Sequence, residues 1–422
     1  MDAQKIVVVG AGPAGMMAAI RAAGLNARVT LLEKNNSPAQ KLLLSGKGRC
    51  NLTNACEPDA FYARFSKNGE FLRDAFKKLS NLDLMRFFEK RGLRLKVERQ
   101  LRVFPETNRS ASVAGALKKE LEKSEVEVRY NAGVKDIVLR DGNIKGVLLF
   151  DNKIMPADKI ILATGGVSYP FTGSTGEGLK LAGRLGHRIT PLRPGLVPLE
   201  TRQDYPRLLE GLTLKNIRLK FRDGKKEIIS EVGELLFTKT GVSGPLVLSL
   251  SGAIVDWLAQ SKIIRLEIDL KPALSREQLD ARLLREFRLN AKKNIRNTLK
   301  SLLPLRMINL FISLSGIAPE KKASQVTAAE RQKMLGLLKG LRLDITASRP
   351  IEEAMLTRGG VSLKDINPRT MESRLIKGLY FCGEMIDVDA DTGGFNLQAA
   401  FSTGYLAGDS AAQAQGRFSS PL

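Results

Sequence analysis

The segment KIVVVGAGPAGMMAAIRAAGLNARVTLLEK, residues 5–34, carries the strongest indication of fold class in this chain. Its first part, IVVV, is a short β-branched run of the kind found in buried parallel strands. Gly10, Gly12 and Gly15 follow with G-x-G-x-x-G spacing and open a stretch rich in Ala and Met, which predicts a helix. A second strand, ARVTLLEK, completes a β-α-β unit.

The glycine pattern predicts a site for the pyrophosphate of a dinucleotide. Gly10 allows the tight turn, Gly12 lets the backbone approach the pyrophosphate, and Gly15 lets helix and strand pack closely. The pyrophosphate would lie at the helix N-terminus, where free N–H groups and the helix dipole favour an anion. Glu33, at the end of the second strand, is placed to accept hydrogen bonds from ribose hydroxyls. Because an acidic residue disfavours a 2′-phosphate, we expect FAD or NAD rather than NADP.

Two later segments favour FAD over NAD. ATGGVSYPFTGSTGEG at residues 163–178 follows a predicted strand and enters a helix through glycines. GLYFCGEMIDVDADTGGFNLQAA at residues 378–400 reads as strand, acidic residue, glycine turn and helix of small residues. A nicotinamide dehydrogenase usually completes its nucleotide domain in one continuous piece, whereas FAD is longer and needs contacts from separate parts of the chain.

With these motifs, the chain resembles the two-dinucleotide-type FAD flavoproteins. Within them it is similar to the BaiN/RdsA-like family of NAD(P)/FAD-dependent oxidoreductases, which includes aminoacetone-oxidase-like proteins and a ribosomal RNA dihydrouridine synthase. Two further motifs carry the resemblance, KLLLSGKGRCNLTN at residues 41–54 and LLFTKTGVSGPLVLSLS at residues 235–251. The resemblance implies an α/β fold with an FAD-binding Rossmann-like domain of the glutathione-reductase type, and an inserted β-barrel and helical subdomain.

The matching motifs also imply FAD contacts. Residues 10–15 would hold the pyrophosphate, Glu33 the adenosine ribose, residues 163–165 the adenosine side and Glu384 a ribityl hydroxyl. The loop at 45–53 would follow the pyrophosphate, ribityl chain and ring, and residues 393–396 would meet the pyrimidine edge of the flavin. The complete implied set is Gly10, Gly12, Pro13, Ala14, Gly15, Glu33, Lys34, Lys41, Ser45, Gly46, Gly48, Arg49, Cys50, Asn51, Thr53, Ala163, Thr164, Gly165, Gly383, Glu384, Gly393, Gly394, Phe395 and Asn396.

Composition indicates a globular protein of the cytoplasm. Of the 422 residues, 43% are hydrophobic and 26% charged, and no run approaches the roughly 18 to 20 apolar residues of a membrane span. A strand begins near the N-terminus, which leaves no room for a signal peptide. Three cysteines do not make a disulfide framework, and the single histidine, His187, excludes a multi-histidine metal site. We expect no metal.

The net charge of +23 predicts an anionic partner. Such an imbalance attracts polyanions over long range, nucleic acid first and anionic membrane second. Residues 191–350 hold 29 Lys and Arg against 16 Asp and Glu, so the middle of the chain is densely basic. The alternative is a basic surface that serves solubility alone.

In this middle region, short alternating segments replace the pattern of the Rossmann unit. Five short alternating segments predict strands of a small barrel or antiparallel sheet, with a helical stretch at about 275–340. We therefore expect three segments: residues 1–190 as the first part of the FAD domain, 191–361 as the insertion, and 362–422 as the second part.

One helix of the insertion is predicted to carry a basic stripe. RLLREFRLNAKKNIRNTLK, residues 282–300, has seven basic residues and one acidic residue. The steps of three or four residues would place the cations on one helix face, next to an apolar face. The stripe is either a solvated helix side or a contact for RNA phosphates, and RNA is preferred to membrane because no aromatic-rich anchor accompanies it. Its members are Arg285, Arg288, Lys292, Arg296 and Lys300.

These observations predict an FAD-dependent oxidoreductase that NAD(P)H reduces and that transfers hydride to a C=C bond. The preferred substrate is a uridine in ribosomal RNA, which would become dihydrouridine. The required acid would be Cys50 or Tyr169, although a thiol packed as a small hydrophobic group is the alternative for Cys50. Two other functions remain: a small-molecule reductase or amine oxidase with incidental charge, and an RNA-binding assembly protein with structural FAD.

Overall fold

The structure is a computed structural model that describes residues 3–224 and 226–413, and it divides into two compact units. The first unit is built from the chain up to Gly195 and from Ile351 onward, and the second spans Leu196–Pro350. The second unit is shorter than the 191–361 insertion expected from the sequence. The difference arises because strands at Ile189–Gly195 (β11) and Leu356–Val361 (β19) pair with each other within the first unit.

Five parallel strands form the central sheet of the first unit. They are β1 (Lys5–Val9), β2 (Arg28–Leu32), β6 (Glu127–Arg129), β10 (Lys159–Leu162) and β20 (Leu379–Phe381). Their order is β20-β10-β1-β2-β6, so the first strand of the chain lies in the middle of the sheet. Val8 pairs with Leu31 on one side and Ile161 on the other, and all three are fully buried. This arrangement confirms the predicted Rossmann-type α/β fold.

Two helices pack closely beside this sheet, α1 (Pro13–Ala23) and α13 (Phe395–Ala412). A methyl group on Gly404 would lie 2.2 Å from the carbonyl oxygen of Ala14, so only glycine permits this approach of the two backbones. The Nε of Arg21 on α1 donates to the buried carboxylate of Asp409 on α13 at 2.8 Å, which ties the helices together. The other helices of this unit are α2 (Gln40–Leu44), α3 (Pro58–Tyr62), α4 (Arg73–Lys78), α5 (Asn81–Glu89), α6 (Ser110–Lys123) and α7 (Glu177–Arg184).

Two small antiparallel sheets complete the first unit. One has the order β3-β5-β4, with β3 at Thr53–Asn54, β4 at Leu95–Val97 and β5 at Arg102–Pro105. The other runs β7-β8-β9, with β7 at Val134–Arg140, β8 at Asn143–Leu149 and β9 at Ile154–Pro156. The first of these sheets matters for the site, since β3 ends the 41–54 motif.

The second unit contains a closed antiparallel barrel. Its strands are β12 (Leu199–Thr201), β13 (Thr213–Asp223), β14 (Lys226–Ile229), β15 (Gly233–Phe237), β16 (Gly241–Ser243), β17 (Ile264–Asp269) and β18 (Leu341–Ser348). Six of them form a ring in the order β13-β15-β16-β12-β18-β17, because β17 pairs back onto β13, while β14 extends β13 outside the ring. The five predicted strand segments are all present, and one of them, residues 212–230, contains both β13 and β14. The short strand β16 was not predicted.

Five helices accompany the barrel: α8 (Pro245–Leu258), α9 (Arg276–Leu289), α10 (Ile295–Thr298), α11 (Leu305–Ser315) and α12 (Ala328–Lys339). Their apolar faces share one core with the barrel interior, in which Phe221, Phe237 and Phe311 are fully buried. Four of these helices account for the helical stretch predicted at about 275–340.

The prediction of one continuous basic helix over 282–300 is wrong. Helix α9 ends at Leu289, and the next turn carries Lys292 before α10 begins. Residues 293–295 pair with another part of the unit instead of continuing the helix: the N–H of Ile295 donates to the carbonyl of Lys321 at 2.8 Å, and the N–H of Ala323 donates to that of Lys293 at 3.0 Å. The five cations therefore do not form a single helix face, although all five are exposed.

Among residues 3–224 and 226–413, no helix has the length and apolar character that crossing a membrane requires.

Candidate functional site

The first glycine turn follows β1 and enters α1, as the sequence predicts. Gly10 has φ of +101°, and a methyl group there would lie 2.6 Å from the carbonyl oxygen of Ala163. A methyl group on Gly15 would lie 1.9 Å from the carbonyl oxygen of Gly10. Both glycines are therefore explained by the close packing of β1, β10 and α1.

Gly12 differs from the other two glycines. Its φ of −79° is open to any residue, and a methyl group on it would meet no atom within 4 Å. Neither backbone strain nor packing within the protein explains a glycine at this position. Gly12 is the N-cap of α1, which has no side-chain cap, so the helix start faces open space with its first N–H groups. An anionic phosphate placed against this backbone fits both observations.

Glu33 lies at the end of β2, beside this turn. Its carboxylate is buried and accepts one hydrogen bond on each oxygen, from the N–H of Ala11 and from the N–H of Asn35, both at 2.9 Å. These bonds fix the carboxylate in place and leave further acceptor capacity on both oxygens. The geometry fits the hydroxyl groups of a ribose. The ammonium group of Lys34, also predicted here, is paired with Thr175 and Glu177 at 2.6 and 3.0 Å.

Lys41 and Glu384 form the second part of the site. The Nζ of Lys41 lies 2.8 and 2.7 Å from the two carboxylate oxygens of Glu384, and it also donates to the hydroxyl of Ser168 at 2.7 Å. Both members of the ion pair are largely buried, with side chains 22% and 23% exposed. Three motifs that are far apart in sequence therefore meet at one carboxylate.

Thr357 is a member of this network that sequence reasoning missed. Its N–H donates to Oε1 of Glu384 at 2.7 Å, and its buried hydroxyl accepts from the N–H groups of Val167 and Ser168 at 2.8 and 3.1 Å. Ser168 lies inside the quoted 163–178 motif and could have been included from it. Thr357 could not, because it lies in β19 outside the quoted motifs.

The loop of the 41–54 motif has the backbone of a tight, glycine-dependent turn. Gly46 and Gly48 have φ of +58° and +81°, and Lys47 between them has φ of +58°. A methyl group on Gly46 would lie 2.8 Å from the backbone nitrogen of Asn51, whereas one on Gly48 would meet nothing within 4 Å. Ser45 donates its hydroxyl to the carbonyl of Leu42 at 2.7 Å, which closes the end of α2.

Arg49 is engaged with other parts of the protein. Its guanidinium ion-pairs with Glu98, donates from Nε to Asn108 at 2.9 Å, and lies 4.2 Å from the ring centroid of Phe104. The hydrogen bond from Arg49 lowers the pKa of Glu98. These contacts brace the loop, and the role of Arg49 as a direct ligand contact stays a prediction.

Cys50 is packed inside the protein. Its side chain is fully buried, so the sulfur is not exposed to solvent. Burial raises the pKa of Cys50 to about 12, and a hydrogen bond with Ser45 opposes this only in part. The roles of Cys50 as proton donor and as contact to FAD stay predictions, and the burial of the thiol counts against the first. The alternative, a thiol packed as a small hydrophobic group, describes this side chain.

The end of the motif meets the start of α13. A methyl group on Gly394, the N-cap of this helix, would lie 2.4 Å from the carbonyl oxygen of Thr53, and the hydroxyl of Thr53 donates to Gln398 at 2.6 Å. With its amide oriented to satisfy its neighbours, Asn51 accepts from the N–H of Gly394 at 3.0 Å. The predicted contacts at 51–53 and 393–394 are thus brought together.

Two neighbouring side chains serve the protein itself. The amide of Asn396 accepts from the N–H of Ala390 and donates to its carbonyl, at 2.9 and 2.8 Å. Phe395 is buried and packs edge-on against Phe61 with ring centroids 4.9 Å apart. The predicted contacts of residues 395 and 396 with the pyrimidine edge of the flavin stay predictions.

The remaining predicted contacts surround the first glycine turn. Ala163 and Ala14 are buried, and a methyl group on Gly383 would lie 2.7 Å from the Cβ of Ala14. Gly165 has φ of +76°, and the hydroxyl of Thr164 donates to the sulfur of Met385 at 3.1 Å. Pro13 occupies the first helical position of α1, where its missing N–H costs nothing.

Tyr169, the second predicted proton donor, lies next to Ser168. Its backbone has φ of +53°, and its N–H donates to the carbonyl of Glu352 at 3.0 Å. The phenol is half-buried, and burial raises its pKa, with a smaller contribution from Glu353. Tyr169 therefore stays protonated at neutral pH and can donate a proton.

The fold and the open helix start at Gly12 define a Rossmann-type dinucleotide-binding α/β protein. Residues 4–410 match the model of the HI0933-like protein Rossmann domain, so the chain belongs to this family. The family is one of FAD-dependent oxidoreductases, and the chain is an enzyme of this class.

Two curated relatives cover nearly the whole chain. The chain is 31% identical over 412 residues to a 3-dehydro-bile acid delta(4,6)-reductase of Clostridium scindens, covering 97% of this chain and 99% of the relative. It is 29% identical over 414 residues to a ribosomal RNA dihydrouridine synthase of Escherichia coli strain K12, covering 96% and 97%. Both alignments include the barrel unit as well as the nucleotide-binding unit.

A solved structure shares the fold. The chain is 15% identical to the 3-ketosteroid-delta4-(5alpha)-dehydrogenase of Rhodococcus jostii RHA1, with a TM-score of 0.54 and coverage of 97% of both chains. At this identity, the likeness supports the fold and no shared substrate.

Proposed function

We propose that this enzyme reduces a carbon-carbon double bond conjugated to a carbonyl group, and that its substrate is a uridine in ribosomal RNA, which becomes dihydrouridine. The reaction would consume one NAD(P)H and one proton for each double bond. The observation that carries the choice of RNA is the concentration of basic residues in the barrel unit, many of them exposed, within a chain of net charge +23.

The two curated relatives support the reaction class. Their names describe a reductase of a dehydro bile acid and a synthase of dihydrouridine. In uracil, and in a 3-oxo steroid with a neighbouring double bond, the C=C bond is conjugated to a carbonyl. Hydride is added at the carbon β to the carbonyl and a proton at the α carbon. An enzyme for either substrate therefore needs a hydride source and a positioned acid.

The residues around Gly12 would hold the cofactor. The uncapped start of α1 and the bare backbone of Gly12 would bind the pyrophosphate, and Glu33 would accept from ribose hydroxyls. The Lys41–Glu384 pair would order the side of the site near residue 168. When bound, FAD supplies the hydride chemistry, while the protein supplies orientation and electrostatics.

Tyr169 is our candidate for the acid. It adjoins Ser168 of the Glu384 network, its pKa is raised by burial, and it is half-exposed and so accessible to a ligand. A phenol that remains protonated can give its proton to the α carbon as hydride arrives at the β carbon. The fully buried Cys50 lacks that access.

A small-molecule substrate is the second candidate. The bile acid reductase has a slightly higher identity to this chain than the dihydrouridine synthase, 31% against 29%. In that case, the positive charge would be incidental. The difference in identity is small, whereas the charge requires an explanation, and an RNA substrate supplies one.

One experiment separates the two candidates. Ribosomal RNA from a strain lacking the gene would be digested to nucleosides and its dihydrouridine measured by mass spectrometry, with a complemented strain as control. The purified enzyme would be assayed in parallel with that RNA and with a 3-oxo-4-ene steroid, using NADH and NADPH separately. We expect dihydrouridine to be lost in the deletion and restored by the enzyme with RNA. Unchanged dihydrouridine, together with steroid reduction, would refute the RNA substrate.

A further inference from the structure

A groove in the barrel unit contains part of the positive charge of this unit. It has a volume of about 390 Å³ and lies between the segment at 294–300 and helix α11. Arg296 and Lys300 line it and both are exposed. In the described part of the chain, neither cation has an acidic side chain within ion-pair distance.

Three acidic groups of the same unit have other partners. Asp280 accepts from Arg331 at 2.8 Å, and Glu330 accepts from Lys321 at 2.7 Å. Glu286, the single acidic residue of the 282–300 segment, accepts from the hydroxyl of Ser301 at 2.9 Å. Glu320 also lines the groove but forms no ion pair with Arg296 or Lys300 in the described part of the chain, so both cations can still bind an external anion.

Three carboxamides also line the groove: Asn294, Asn297 and Asn309. Their side chains have no hydrogen bond to any other residue within 3–224 or 226–413. Asn294 is the N-cap of α10, but its side chain does not cap the helix. These amides can both donate and accept, as ribose hydroxyls and base edges require. Leu305, which is 69% exposed, adds an apolar surface to the same groove.

We propose that this groove binds a single-stranded segment of RNA, with backbone phosphates on Arg296 and Lys300 and with the carboxamides contacting ribose or bases. The inference rests on the proposed function and names the surface that would hold its substrate. A lipid headgroup fits less well, because three carboxamides match the polar edges of a nucleotide and not an acyl chain. No aromatic side chain lines the groove, so phosphate contacts would dominate and binding would depend strongly on salt.

Glu320 provides an internal test, since its carboxylate lies in the same groove and would repel phosphates. Replacing it by Gln removes a negative charge without removing a cation. If RNA occupies the groove, E320Q should bind RNA more tightly than the wild type, whereas R296A/K300A should bind more weakly. Opposite effects from the two changes cannot arise from misfolding alone.

The experiment measures binding of a fluorescein-labelled oligoribonucleotide of mixed sequence to the flavin-loaded protein across a salt series. For R296A/K300A, we expect about tenfold weaker binding and a salt slope flatter by about 1.4, which is about 0.7 for each lost phosphate contact on a single strand. The control is K118A/K119A, which removes two exposed cations from α6 in the other unit. This control variant should change the affinity for the oligoribonucleotide by less than about twofold, because Lys118 and Lys119 do not line the groove.

The outcomes distinguish the groove from the function. If the wild type modifies ribosomal RNA and R296A/K300A does so equally well with the same affinity, the groove proposal is refuted while the proposed function stands. If the wild type binds RNA through these residues but modifies none, the groove stands and the substrate proposal falls. Binding of the wild type, but not of R296A/K300A, to vesicles of phosphatidylglycerol with no RNA binding would refute the groove as an RNA site and identify a membrane surface.

Discussion

Lys41 and Glu384, which are 343 residues apart in sequence, form a largely buried ion pair in which the Lys41 ammonium lies 2.8 and 2.7 Å from the two carboxylate oxygens. The pair joins the helix that precedes the 45–53 loop to the turn that follows the last parallel strand. Since Ser168 and Thr357 donate to the same carboxylate, three other segments of the chain depend on its position.

We expect a measurable coupling between these two residues. A double-mutant cycle with K41M, E384Q and the double variant should give a coupling free energy of about 1–2 kcal/mol in urea unfolding, because each single change leaves a partly buried charge without its partner. The cycle for Arg73 and Glu70, an exposed pair on the surface, is the control and should give a smaller value. Equal coupling free energies for the two pairs would show that burial does not strengthen the interaction between Lys41 and Glu384.

The two glycines of the first turn should respond differently to alanine. G12A should retain less flavin, since its methyl group would enter the space assigned to the pyrophosphate, but after flavin removal its melting temperature should equal that of flavin-free wild type. G15A should be destabilised by about 3 kcal/mol, because its methyl group would overlap the carbonyl of Gly10. The measurements are thermal unfolding and the flavin absorbance of the purified proteins. A G12A protein that keeps its flavin in full would contradict a phosphate site at Gly12.

The three free cysteines should differ in reactivity. Cys50 and Cys382 are buried, and burial raises the pKa of each thiol, whereas Cys56 is partly exposed. In the native protein, Ellman's reagent should therefore modify Cys56 and leave the other two until denaturant is added. Rapid modification of Cys50 in the native state would show that the loop opens.

Substitutions of Tyr169 and of Cys50 should have different effects on catalysis. Y169F should lower kcat by about 100-fold, the contribution typical of a general acid, while leaving flavin bound. C50A should keep most of the wild-type kcat and lose about 1 kcal/mol of stability from the small cavity. Steady-state kinetics and urea unfolding of both variants test this assignment. A large loss of kcat in C50A, together with normal activity of Y169F, would assign the acid to Cys50 instead.

The stability of the protein should fall in mild acid because of His187. This side chain is buried against Phe381, its ring nitrogens contact the carbonyl of Ala182 at 3.1 Å and the hydroxyl of Ser373 at 2.7 Å, and burial lowers its pKa. Since the unfolded state takes up the proton first, the stabilisation is fully present above about pH 6.5 and is lost as the pH falls below it.

Urea unfolding at pH 7.5 and 5.5 would measure this effect. Between these two pH values, the free energy of unfolding of the wild type should fall by about 1 kcal/mol for each unit by which burial lowers the pKa of His187 within this range. The fall should be smaller for H187Q. The ion pair of Arg188 with Asp365 lowers the pKa of Asp365, so its contribution disappears only at lower pH, below about 4. An identical pH dependence in H187Q would exclude His187 as the source.

Local patterns explain why much of the fold could be predicted. The IVVV run and the glycine spacing specify strand, turn and helix among neighbouring residues, and the alternating segments of the insertion specify strands in the same way. The helix predicted over 282–300 failed although its periodicity is regular. There, the pairing of residues 293–295 with 321–323 outweighs local helix preference.

By itself, the sequence determined the Rossmann β-α-β unit, the acidic residue at its end and the excess of positive charge, because these depend on residue type and short spacing. Only the tertiary structure decided that Lys41, Ser168, Thr357 and Glu384 meet, that Arg49 braces a loop and that Cys50 is sealed from solvent. Contacts and burial of this kind depend on how distant segments pack. The motif of a single segment does not predict which of its side chains the rest of the chain will bury.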